Sequence, residues 1–218
     1  MYRGLAGNRE PYDRPVGYIT LMSTKQRLSI QAARLFAERG YHGTSVSDLA
    51  AALGIHKSSV YAHIETKEDL LAEISLAGAA AFHAALDGLS SGTPSDRLRA
   101  ALRAHLAVVK QQLDVATIWL LEWRFLTGEA REEFLRQRHA YERRILKLIE
   151  AAIAAGELRA DLDPRCAMLL FFSVANWTYT WFDGDTDVDA VTDEYWELLV
   201  NGIGSRGDSR NGRAARRS

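Results

Sequence analysis

Four prolines in 218 residues, at Pro11, Pro15, Pro94 and Pro164, limit the fold more than any other feature of the sequence. They leave Val16 to Thr93 and Ser95 to Asp163 free of the residue that removes a backbone donor and breaks helices. No alternating apolar and polar run bounded by turn residues marks a strand. The expected class is therefore all-α, and 47% hydrophobic residues are enough to give it a core. No apolar run approaches the roughly 20 residues of a membrane helix, so no membrane partner is expected. The start, MYRGLAGNREPYDRPVGYITLM, mixes Arg, Gly, Pro and Tyr where a secretory signal needs an apolar centre. With the single cysteine, Cys166, this points to a reducing cytoplasm and away from disulfides or thiolate metal sites.

Helical punctuation is clearest between Thr24 and Leu71. From Thr24, read as an N-cap, Leu28, Ala32, Leu35 and Phe36 form one apolar stripe that stops at Gly40. After the turn Tyr41-His42-Gly43, Thr44 is positioned to cap a short helix that turns Val46, Leu49, Ala50 and Leu53 inward, and Gly54 ends it. Helical spacing resumes at once, with Ile55, Val60 and Ile64 as anchors. Two short helices around a glycine turn form the layout of a helix-turn-helix, whose second helix reads the major groove. On that second helix Lys57 can donate to guanine or phosphate, Ser58 and Ser59 allow close backbone approach, and His56, Tyr61 and His63 can meet phosphate or sugar. Thr44 and Lys67 stand at helix starts, where unpaired N–H groups favour anions. The net charge of −1 gives no overall attraction to phosphate, so any DNA binding must come from this local surface.

The run TSVSDLAAALGIHKSSVYAHIETKEDLL resembles the signature of TetR-family transcriptional regulators at Thr44, Asp48, Leu49, Ala50, Leu53, Gly54, Ile55, Val60, Tyr61, His63, Ile64, Lys67 and Leu70. Ala33 to Tyr41 is similar to the family's first helix; Ile64 and Leu53 replace the more usual Phe and Ala. The resemblance implies a homodimer on a palindromic double-stranded DNA operator, released when a small molecule enters a C-terminal helical domain. It divides the chain into an arm (1–22), a helix-turn-helix domain (23–68), a ligand-binding and dimerisation domain (69–203) and a basic tail (204–218). The resemblance also implies a connecting helix, starting near Lys67, that carries the ligand signal to the reading heads.

In the C-terminal part aromatic residues recur at helical spacing: Trp119 with Trp123, Trp177 with Trp181, and Phe171 and Phe172 nearby. Such helices can wall a pocket or simply fill a core. The stretch DPRCAMLLFFSVANWTYTWFDG, after LIEAAIAAGELRADLDP, is similar to TetR regulators of sterol and fatty-acid catabolism, which answer to acyl-CoA thioesters. That likeness implies an acyl or ring portion among Trp119, Trp123, Phe171, Trp177 and Trp181, with phosphates met by Arg124, Arg143 or Arg144. A free hydrophobic or aromatic effector of a drug-efflux or other catabolic repressor, or a DNA-binding protein with no effector, are the alternatives. By analogy the last two helices, carrying Leu169, Phe172, Tyr195, Trp196, Leu199 and Ile203, form the dimer's four-helix bundle.

Asp183-Gly-Asp-Thr-Asp-Val-Asp imitates the acidic spacing of an EF-hand, but Val188 stands where that loop needs glycine. No nucleophile elbow, zinc-protease motif or phosphate-cradling glycine loop occurs, so no enzyme and no cofactor is expected.

Overall fold

The structure, a computed structural model, describes residues 22–89 and 91–202. The expected arm (apart from Met22), the basic tail and Ile203 lie outside the described residues. Those residues form helices and no strand. The helices are α1 (Thr24–Arg39), α2 (Val46–Leu53), α3 (Lys57–Val60), α4 (Lys67–Asp87), α5 (Pro94–Gln111), α6 (Leu113–Leu121), α7 (Gly128–Ala154), α8 (Pro164–Trp177) and α9 (Val188–Asn201). Short 3-10 turns follow α6 (Glu122–Phe125) and α8 (Thr178–Thr180).

The helix starts are set by capping boxes, in which the N-cap side chain accepts from the third backbone N–H and the third side chain accepts in return. Ser23 with Gln26 opens α1, Ser45 with Asp48 opens α2, Thr66 with Asp69 opens α4, and Thr93 with Asp96 opens α5. Two expectations are corrected here, because Thr24 lies one residue after, and Thr44 one residue before, the serine that does the capping. Thr44 is buried instead, its hydroxyl directed at the carbonyls of Leu35 and Gly40, both 3.1 Å away. Gly43 allows the chain to pass over the end of α1, since a Cβ there would lie 2.2 Å from the Arg39 carbonyl oxygen.

Leu28, Phe36, Leu49, Val60, Leu70 and Leu71 are sealed from solvent, so α1 to α3 share one core with the start of α4. Helix α4 continues into the second layer, where it packs against α5, α6 and α7. By length and composition α4 could cross a membrane. Its buried Ile74, Ala79, Phe82 and Leu86 make it the central helix of the bundle instead, and Glu68, Asp69 and Glu73 mark its first two turns. Helices α7 and α8 pack together, and α9 lies along α5, held by Arg99 to Asp193 and Arg103 to Asp189.

Candidate functional site

Gly54 ends α2 in the left-handed conformation, φ 66° and ψ 33°, and its N–H bonds back to Ala50 and Ala51. That conformation favours glycine and turns the chain sharply enough for α3 to cross α2. Val60, fully buried, and Ile64 pin α3 to the core. The remaining side chains of the segment therefore face outward: His56, Lys57, Ser58, Ser59 and Tyr61 are exposed, Tyr61 at 49%, and His63 is half-buried. Five of the eight residues expected at a DNA surface thus share one continuous exposed face.

Thr44 and Lys67 do not join them through their side chains. The Lys67 ammonium donates to the carbonyls of Tyr41 and Thr44, at 2.7 and 2.8 Å, and lies 4.0 Å from the centre of the Tyr41 ring. Burial lowers its pKa. It ties the turn after α1 to the start of α4, so its charge is used within the chain rather than offered to phosphate.

The same turn is gripped from the other layer. Glu122, 6% exposed, accepts from the Tyr41 N–H at 2.7 Å, while Phe125 stacks on Tyr41 and meets His42 edge-on. Glu68 accepts from both the N–H and the hydroxyl of Thr127. These contacts join positions 59 and 81 residues apart. Sequence periodicity gives no sign of them; the only hint is an acid, Glu122, set among apolar neighbours.

A cleft of about 470 Å3 opens between α6, α7 and α8. Its walls include Trp119, Leu120, Arg138, Phe172, Asn176 and Trp177. Of the residues expected at a ligand, Trp119 and Trp177 line it. Phe171 is buried behind it against His105, and Trp123 stacks on Phe134 at 5.3 Å. Trp181 lies past the end of α8, edge-on to Phe182. Arg124, paired with Glu122, is absent from the lining, as are Arg143 and Arg144; Arg144 bonds to Asp87 and the His83 carbonyl. The arginines that do line the cleft are Arg138 and Arg165. Sequence reasoning missed both, although Arg138 lies on α7 one helical turn before the buried Tyr141. The Arg138 guanidinium covers Trp119 and Trp123, at 5.7 and 5.3 Å from their ring centres, and bonds to Glu142 at 3.3 Å.

Behind the cleft lies a buried polar pair. His105 Nδ1 is 3.0 Å from the Tyr141 hydroxyl, and Phe82, Trp119, Phe171 and Phe172 surround the two. Burial pushes the His105 pKa down to about 3, the neighbouring Asn176 side chain working the other way, and raises that of Tyr141. Both are neutral at physiological pH. In the EF-hand imitation Asp183 bonds the Thr186 hydroxyl and Asp187 caps α9, and among the described residues no group of three or more His, Cys, Asp or Glu side chains is gathered as for a metal.

The comparisons with known proteins agree with this geometry. Residues 31–74 match the family described as bacterial regulatory proteins, tetR family, and residues 91–203 match the tetracyclin repressor-like C-terminal domain. The HTH-type transcriptional repressor KstR2 of Rhodococcus jostii is 30% identical over 80% of this chain and 88% of its own. The fatty acid metabolism regulator protein of Bacillus subtilis is 27% identical over 79% of this chain and 91% of its own. Among solved structures AibR, in complex with isovaleryl coenzyme A and operator DNA, superposes with a TM-score of 0.75. It is 30% identical and covers 82% of this chain and 98% of its own. The chain belongs to the TetR family of bacterial transcriptional regulators.

Proposed function

We propose that this protein is a cytoplasmic, non-enzymatic repressor that binds a palindromic operator as a homodimer and leaves it when an acyl-CoA thioester occupies the cleft between α6, α7 and α8. The carrying observation is the exposed face His56, Lys57, Ser58, Ser59 and Tyr61, held on the buried Val60 anchor, in a chain whose second layer contains a cleft of ligand size. In this reading residues 23–68 are the reading head and 69–203 the effector and dimer unit. Lys57 and Tyr61 make the main DNA contacts, with His56, Ser58, Ser59 and His63 beside them. Lys67 contributes through its backbone N–H at the start of α4, whereas the Thr44 N–H is directed at the Tyr41 carbonyl and Thr44 acts by holding the turn.

The thioester class is supported by AibR, whose structure contains isovaleryl coenzyme A, and by the architecture of the cleft. Apolar walls suit an acyl chain, and Arg138 and Arg165 suit anionic groups near the rim. Trp119 and Trp177 would contact the acyl part directly, with Phe171 and Trp123 shaping the wall behind. Trp181, Arg124 and Arg143 lie outside the lining, and we give them no contact.

The test is operator binding by fluorescence anisotropy on the DNA upstream of the protein's own gene, titrated with acyl-CoA thioesters and the matching free acids. Binding relieved by a thioester is the expected result. Binding relieved only by a free hydrophobic compound would replace the thioester with another effector, and the absence of operator binding would remove the repressor reading.

A further inference from the structure

Trp119 belongs to the cleft wall but is 2% exposed, so a ligand reaches its ring only by moving a neighbour. Phe82, Phe134 and Tyr141, with ring centres 4.4, 6.2 and 5.9 Å from that of Trp119, are sealed in the core and close-packed. Arg138 differs, because it lies against the ring and is also part of the cleft lining. Its guanidinium sits 5.7 Å from the Trp119 ring centre and 5.3 Å from that of Trp123, and its side chain is 25% exposed. It is held lightly. Nε donates to Glu142 at 3.3 Å, and the two terminal nitrogens have no hydrogen-bond partner among the described residues. A long, part-exposed ion pair and a cation over a ring are each weak where water can reach them.

We propose that Arg138 is a displaceable cover over Trp119: an acyl group takes its place on the ring, and the freed guanidinium turns to an anionic group of the same ligand at the rim, beside Arg165. This rests on the reading of the cleft as the effector site. A ligand with only one of the two parts meets a cost it cannot offset. An uncharged acyl compound must strip the cation from two rings and offers it no partner in return. An anion without an acyl part draws Arg138 away and leaves the indole facing water. A ligand with both parts exchanges contacts, since apolar surface covers the ring while the terminal nitrogens, unused in the free chain, take up charge-assisted bonds. Arg138 therefore decides which ligands the cleft accepts. On its other side Trp119 abuts α4, where a Cβ added at Gly78 would lie 3.1 Å from the Trp119 Cβ. Whatever settles on the ring thus bears on the helix whose start shares the core of the reading head.

Two probes with one acyl chain separate the cover from the anion contact: hexanoyl-CoA and S-hexanoyl-N-acetylcysteamine, a neutral thioester without phosphates. Both are titrated by calorimetry into the full chain, as wild type, Arg138→Ala and Glu142→Gln. Arg138→Ala is expected to bind the neutral thioester roughly threefold to tenfold more tightly, because no cation has to be displaced. The advantage of hexanoyl-CoA over the neutral probe should shrink by about tenfold in the same variant, its anionic part having lost a partner. A residue that merely shapes the wall would not move the two probes in this way. Glu142→Gln keeps the cover and removes its charged hold, so it should tighten the neutral probe by about twofold to threefold; it decides alone if Arg138→Ala does not fold. Neutral-probe affinity that is unchanged or weaker in the folded variants overturns the inference, whatever hexanoyl-CoA does. Operator release by hexanoyl-CoA is read separately by anisotropy on the wild type. Release together with unchanged neutral-probe affinity leaves the repressor reading intact and removes only the cover, whereas a wild type that binds neither probe removes both.

Discussion

Lys57 and Tyr61 lie on either side of Val60, and that buried valine is what turns both outward. A cation and a phenol on the exposed side of the second helix of a helix-turn-helix are suited to base edges and phosphate respectively. Lys57→Ala is expected to weaken operator binding by about tenfold or more, and if its partner is a phosphate, to reduce the salt slope by about one. Tyr61→Ala should weaken all sequences alike. Anisotropy titrations at several salt concentrations measure both, and unchanged affinity in the two variants would exclude this face. At His105 the expectation concerns pH. The group is neutral when folded, with a pKa of about 3, but titrates near 6.5 once unfolded. Its contribution is therefore fully present above pH 6.5 and is lost as pH falls toward 3, by about 2 kcal/mol at pH 5. Urea unfolding at pH 7.5 and 5 should show that loss in the wild type and a smaller one in His105→Gln; parallel losses would acquit His105.

Among the elements, the 3-10 turn Glu122–Phe125 continues directly from α6, whose Trp119, Leu120 and Leu121 line the cleft. Glu122 then holds the Tyr41 N–H of the turn between α1 and α2. A shift of α6 about a ligand would thus pull on the base of the reading head through one hydrogen bond and one ring stack. Glu122→Ala leaves the Tyr41 N–H unpaired and should cost about 1–3 kcal/mol of stability. Ligand affinity by calorimetry should stay within about twofold while operator release by the same ligand is blunted; full release would place the coupling in α4 alone. This junction also shows where reading the sequence stops. Helices α1 to α4 follow from apolar spacing and from Gly40 and Gly54, because helix bonds and stripes are local. The caps are legible too: Ser23 and Ser45, not the adjacent Thr24 and Thr44, have Gln26 and Asp48 three places on. The Glu122–Tyr41 bond joins residues 81 apart, and the placing of Arg138 over two tryptophans depends on how α6 and α7 pack. Neither has a local signal, which is why Arg124 and Arg143 were chosen from the sequence while Arg138 and Arg165 line the cleft.

For the whole molecule, the large apolar side chains left in solvent are concentrated on two helices and the turn between them. Leu169, Leu170 and Trp177 on α8, Trp181 in the turn, and Leu198 and Val200 on α9 are each at least 40% exposed. In the proposed homodimer these side chains are the association surface, since exposed large apolar groups gain most from being covered. A two-fold pair of α8 and α9 would bury it as a four-helix bundle. Leu169 and Trp177 belong to the cleft lining as well, so this surface and the ligand share a wall. Ligand that repositions α8 would then change the angle between two reading heads as well as the pull of α6 on each. Moving such an equilibrium from one state almost wholly to the other takes about 5.5 kcal/mol of differential affinity, which two equivalent clefts can share. Leu198 is the position to probe because it lies on this face and away from the cleft. Leu198→Lys should convert the dimer to a folded monomer in sedimentation at micromolar concentration, since a buried unpaired ammonium opposes association while an exposed one on the monomer costs little. Operator affinity should fall steeply because the two half-sites are no longer bound together. Binding of the acyl-CoA thioester should persist if the cleft is complete within one chain; its loss in a folded monomer would mean that the partner supplies part of the wall.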